Sequence, residues 1–168
     1  MSDFDGHSAT SARQVGLLKH IAVFVGATIA LNGIIFGFGF DRSADAASRL
    51  WWAPPGWAIG AIWVGLFALY AVAHWLLLPR GESGRRAAGW VRAIAVWELA
   101  YPFLTNGFDM RIGAWLNVIT VMFTILLLWR VWRDSRIAFG WLLPSLAWIC
   151  FATVLTFVAL QGVHQTVK

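Results

Sequence analysis

Apolar residues along the chain gather into five long blocks separated by short polar stretches. The first, about 20–40, reads HIAVFVGATIALNGIIFGFGF and holds no charge. The second, about 57–78, is WAIGAIWVGLFALYAVAHWLLL, interrupted only by His74. The third, about 87–108, is weaker because it contains Arg92, Glu98 and Pro102, and the fourth and fifth run about 112–132 and 137–161. Each has about 20 or more residues, enough for a helix to cross a hydrocarbon core of about 30 Å. Helices satisfy their own backbone hydrogen bonds, which lipid cannot do. The pattern therefore predicts an all-α integral membrane protein, a five-transmembrane-helix bundle forming one domain over 20–161. A polar tail, 1–19, precedes it and a short tail, 162–168, follows. The first block is expected to be retained, since it is longer than a usual signal-peptide core and no A-x-A site follows it.

Three of the four connectors are short and look ordinary; among them PRGESGRRAA reads as an arginine-bearing turn and RDSR as a short break. The connector 41–55 is different. Ser43 can cap a short helix through Leu50, supported by an i,i+4 pair of Asp45 and Arg49, and Pro54 and Pro55 then fix the chain direction into the second span. A partly folded lid over one end of the bundle is expected, carrying Arg42, Arg49 and Trp51.

Composition agrees. The chain is 60% hydrophobic and 12% charged, against about a quarter charged in soluble domains. Cys150 is the sole cysteine, so an intramolecular disulfide is excluded. The formal charge of +5 is better explained by orientation than by nucleic acid, because no soluble basic domain is present. Of the 13 basic residues, Arg13, Lys19, Arg80, Arg85, Arg86, Arg92, Arg130, Arg133 and Arg136 fall on one side of a five-span bundle. The positive-inside rule puts that side and the N-terminus in the cytoplasm, with the lid and the C-terminus outside.

At 100° per residue, Gly56, Gly60, Trp63, Phe67, Tyr70 and His74 share a face of the second span. Ile94, Trp97, Glu98, Tyr101 and Thr105 share one in the third. Trp141, Pro144, Ser145, Trp148, Ala152, Thr156 and Ala159 share one in the fifth. Each mixes aromatic rings with small or polar groups, unlike a plain aliphatic lipid-facing surface, and is expected to look inward. Such walls suit a flat hydrophobic ligand. The bland alternative is an interfacial belt, which suits Trp51, Trp52, Trp90, Trp129, Trp132 and Trp141 at span ends better than Trp63, Trp97 and Trp148.

Glu98 is the costliest residue: a carboxylate near the bilayer centre costs about 2.5 kcal/mol or more. It reads either as a functional group or as a packing partner, with Asn32 and Asn117 as candidate donors. Pro102, four residues on, cannot supply an amide to the Glu98 carbonyl, so a kink is expected. His74 and His20 fall toward the same end and could in geometry ligate haem, though packing is the commoner role. Neither C-x-x-C-H nor H-E-x-x-H occurs, and no metal site is expected. The G-x-x-x-G spacings at Gly33/Gly37 and Gly56/Gly60 permit close helix approach or dimerisation.

WWAPPGW, with Trp63 six residues on, resembles the translocator protein/tryptophan-rich sensory protein family (TspO/MBR). That family carries W-x-P-P-x-W at the start of its second span, matched here by Trp52, Pro54, Pro55 and Trp57. Its third-span signature of an Asn, an aromatic and a proline is met partly by Glu98, Tyr101 and Pro102, with Glu in place of Asn and the spacing one short. Its fifth-span signature is met partly by Pro144, Trp148 and Leu155, with Ser145 for a tyrosine and Thr156 for an asparagine. The likeness covers 20–161 and suggests a divergent member.

The resemblance implies a five-helix bundle, often a homodimer, in a bacterial cell membrane, with a ligand pocket under the first connector. By matching position, Trp52, Trp57, Trp63, Trp148 and Ala152 would line it, joined by Phe67, Glu98 and Tyr101 on the inward faces, while Phe151 stands where many members have alanine. Pro54, Pro55, Pro102 and Pro144 are expected to be structural. The implied ligand is a porphyrin, haem or another tetrapyrrole, or a sterol-like molecule, with no required cofactor. The leading expectation is a binding or sensory protein. The alternatives are light- and oxygen-dependent porphyrin breakdown through Trp52 or Trp148, and a carrier using Glu98.

Overall fold

The computed structural model describes residues 3–39, 50–105 and 110–166, with side chains described over 14–39, 50–105 and 111–161. It contains five helices: α1 Asp3–Phe38, α2 Gly56–Leu77, α3 Gly81–Thr105, α4 Met110–Asp134 and α5 Arg136–Thr166. The expected lid helix, with Arg42, Ser43, Asp45 and Arg49, lies outside the described residues.

Four helices are long and apolar enough to cross a membrane: α1 over Gln14–Phe38, α2, α4 over Arg111–Asp134 and α5 over Arg136–Gln161. In α3, Glu82, Arg85, Arg86, Arg92 and Glu98 dilute the apolar run. Among the described residues, four of the five helices are thus long and apolar enough to be spans by length and composition.

Two boundaries differ instructively from the sequence reading. The arginine-bearing stretch after α2 is largely helix: the chain reverses over Leu78, Pro79 and Arg80, and Gly81 opens α3 with φ of +69°. Such a backbone angle suits glycine. Gly84 then lies so close to the end of α2 that a Cβ there would sit 2.4 Å from the Leu77 carbonyl oxygen. Glu82 and Arg86 pair one turn apart on the exposed face. At the other boundary, only Ser135 separates α4 from α5, and its Oγ accepts from the Ala138 amide at 3.1 Å, an N-cap. Both polar tails are also drawn into helices, α1 beginning at Asp3 and α5 running to Thr166.

The helices pack in the order α2, α3, α4, α5, and α5 returns to α2, closing a ring of four. α1 lies outside this ring against α2. Phe36 of α1 fits over Gly60, 3.4 Å from where a Cβ would stand, and Asn32 Nδ2 donates to the Gly60 carbonyl at 3.4 Å. The Gly56/Gly60 pair therefore serves a helix contact. Gly33 and Gly37 meet nothing within 4 Å.

Packing inside the ring is uneven along its length. Toward the α2–α3 turn it is filled by Leu77, Ala87, Ala88, Val91, Leu127, Leu128, Val131, Ala138 and Leu142, all buried. Alanine on α3 lets neighbouring backbones approach closely, the usual solution where lipid gives no hydrophobic drive. Arg130 pins this end by bonding Asp134 on its own helix and donating to Ser83 Oγ at 2.8 Å. Toward the α1–α2 connector the interior is bordered instead by half-buried aromatics.

Candidate functional site

Two strings of rings run through that second half. On α2, Trp63 lies 5.9 Å from Phe67 between ring centroids, and Phe67 lies 5.4 Å from Tyr70, edge to face. The residues fall at i, i+4 and i+7, so α-helical geometry aligns them. The second string links the connector to α5. Trp52 meets the ring of Phe151 edge-on at 5.8 Å, and Phe151 stacks on Trp148 at 5.4 Å. Phe151 therefore fills the space between two tryptophans that were both expected to line a pocket. Ala152 is half-buried beside it.

The strings converge on a polar cluster. Tyr70 ends the α2 string, and Ser145 lies one helical turn from Trp148. The Tyr70 hydroxyl donates to Glu98 Oε1 of α3 at 2.8 Å and also bonds Ser145 Oγ of α5. One cluster thus joins three helices of the ring, with Tyr70, Glu98 and Ser145 all buried. Glu98 is 4% exposed, and its second oxygen, Oε2, has no hydrogen-bond partner among the described residues. The candidate donors named from sequence are engaged elsewhere: Asn32 bonds Gly60, and Asn117 donates to Thr156 Oγ1 at 3.1 Å. The partner is Tyr70. The chain has only two tyrosines, and a hydroxyl buried mid-span needs a partner as the carboxyl does. That pairing was the available sequence signal.

Other expected residues are placed differently. Trp57 is 77% exposed and lies in a stripe with exposed Ala61 and Gly65, at i, i+4 and i+8 on the outer face of α2. It is not brought to the aromatic strings. Tyr101 donates to the Gly113 carbonyl at 2.9 Å, tying α3 to α4. Trp97 Nε1 does likewise to Thr120 Oγ1 at 2.8 Å. On α5 the buried face is Ala138, Leu142, Ser145 and Ile149, so Trp141 and Pro144, expected inward, lie exposed. Pro102 and Pro144 are accommodated within α3 and α5. Near the first of these, Thr105 Oγ1 bonds the Tyr101 carbonyl at 3.0 Å.

Trp51 is 96% exposed, and Trp90, Trp129, Trp132 and Trp141 are exposed as well. Arg133 lies 3.8 Å over the Trp129 ring and Arg136 4.9 Å over Trp132, pairing cation with indole at the α4–α5 junction. His20 and His74 lie side by side between α1 and α2, ring centroids 5.2 Å apart, and Phe24 packs 5.7 Å from His74. His20 Nδ1 bonds the Gly16 carbonyl at 2.8 Å, within its own helix.

The sequence profile of the TspO/MBR family matches residues 20–161, the whole of the expected membrane domain. The chain belongs to the TspO/MBR family. A relative in Bacillus subtilis (strain 168), the uncharacterized membrane protein YtaB, is 32% identical over 141 residues, covering 82% of this chain and 91% of the relative. Family, relative and four apolar helices together make this an integral membrane protein. Within the TspO/MBR match fall Trp52, Phe151 and Trp148 of one aromatic string and Tyr70, Glu98 and Ser145 of the polar cluster.

Proposed function

We propose that this TspO/MBR protein binds a flat hydrophobic ligand, a porphyrin or another tetrapyrrole, in the aromatic half of the bundle beneath the α1–α2 connector, and acts as a binding or sensory protein. The carrying observation is the uneven interior. One half is filled by small and aliphatic side chains, while the other is bordered by half-buried Trp52, Trp63, Trp148 and Phe151, beside the Tyr70–Glu98–Ser145 cluster. Apolar aromatic walls with few placed polar groups are the usual composition of a small-molecule site. Family membership supports the same reading.

α3 crosses the membrane as a fifth span in this account, because it packs within the ring between α2 and α4. The basic side faces the cytoplasm and the connector faces outward. Arg42 and Arg49 of the connector are the proposed partners for a tetrapyrrole's carboxylates, through charge-assisted hydrogen bonds. Protein purified from cells making excess tetrapyrrole tests the reading by Soret absorbance and mass spectrometry. A tetrapyrrole retained in fixed ratio to protein is expected. Its absence, together with no retention of added protoporphyrin after gel filtration, would overturn the reading.

A further inference from the structure

The α2 aromatic string ends, through Tyr70, on a carboxyl group whose hydrogen bonds are only half made. Tyr70 has one hydroxyl proton, and it goes to Glu98 Oε1. The bond between Tyr70 and Ser145 must then be donated by Ser145, whose single proton is spent on the tyrosine oxygen. Both hydroxyls are therefore used, and every donation runs toward the carboxyl: Ser145 to Tyr70 to Glu98. Neighbouring donors are turned away. Trp97 gives its N–H to Thr120, Tyr101 its O–H to Gly113 and Asn117 its amide to Thr156. Pro102, four residues beyond Glu98, has no amide to offer its carbonyl. Oε2 is left as a buried acceptor without a donor.

Resting on the ligand site proposed above, we infer that Glu98 Oε2 determines specificity there. The site takes planar apolar molecules that carry a hydrogen-bond donor, a hydroxyl or a protonated amine, at the end that reaches the Tyr70–Glu98–Ser145 cluster. Ser145 of this cluster lies one helical turn from Trp148, so the inner end of a ligand stacked on Trp148 is placed toward it. A donor there satisfies an acceptor whose isolation costs free energy, in surroundings where water does not compete.

Two fluorescent probes of one shape separate the possibilities: aminomethylpyrene, protonated at neutral pH, and methylpyrene, which has no donor. Each is titrated into the full chain in zwitterionic lipid nanodiscs, reading energy transfer from tryptophan and subtracting empty discs. The amine binds tighter than the hydrocarbon by on the order of tenfold or more, the scale of a hydrogen bond to a charged group. In Glu98→Gln, which keeps an oxygen for Tyr70, that preference falls toward one. An equal amine preference in the wild type and Glu98→Gln, or none in the wild type, overturns the inference and leaves the aromatic site standing. Failure of both probes to saturate, with no change in Trp148→Ala, overturns the aromatic site itself and the inference with it.

Discussion

The hydroxyl of Tyr70 on α2 donates to Glu98 Oε1 on α3 at 2.8 Å, in a buried cluster that Ser145 extends to α5. The costliest residue of the sequence reading thereby becomes a three-helix junction.

Tyr70→Phe removes the donor and strands a buried oxygen. A stability loss of about 1–3 kcal/mol is expected from reversible unfolding in mixed micelles. Glu98→Leu in the same background should recover part of that loss, because neither partner is then left unsatisfied. Additive losses in the double variant would show that the two residues are not coupled.

Gly84→Ala places a methyl group against the Leu77 carbonyl, a backbone atom that cannot move without shifting the α2–α3 turn. Destabilisation of about 1–3 kcal/mol is expected. Gly89→Ala, on the same helix with nothing within 4 Å, should be neutral or stabilising by up to about 1 kcal/mol. The paired melting curves check both.

Much of this was legible in the sequence. Apolar runs located the helices, because a membrane demands unbroken backbone pairing, and of the expected α2 face Gly60, Phe67, Tyr70 and His74 are buried while Trp63 is half-buried and Gly56 exposed. What was not legible depended on rotation and partner choice. Trp57 belongs to the W-x-P-P-x-W motif yet faces outward, since a motif does not fix which side of a helix its neighbours cover. Phe151 was read only as a narrowing residue, because its stacking on Trp148 and its contact with Trp52 involve a connector whose path the sequence leaves open. The start of α3 was missed because Gly, Ser and Arg read as a turn, although only Gly81 needs a left-handed backbone angle.

Phe151→Ala removes the ring that fills the space between Trp52 and Trp148. Affinity for protoporphyrin should rise, measured by tryptophan quenching in nanodiscs. A fall would mean that Phe151 is itself a stacking surface for the ligand.

α3 is proposed to cross the membrane despite its charges. In a Cys150→Ser background, Ser83→Cys and Thr105→Cys mark its two ends. An impermeant thiol reagent should label Thr105→Cys in intact cells and Ser83→Cys only after the cytoplasmic side is opened. Labelling of both from one side would contradict the crossing.

The central claim, a tetrapyrrole site walled by the connector and α5, is tested most directly by titrating protoporphyrin into the wild type and the Trp52→Ala/Trp148→Ala double variant in nanodiscs. Loss of two stacking indoles should weaken saturable binding by on the order of tenfold or more, at about 1 kcal/mol for each aromatic contact. Equal affinity of the two proteins, at equal folded fraction, would contradict it.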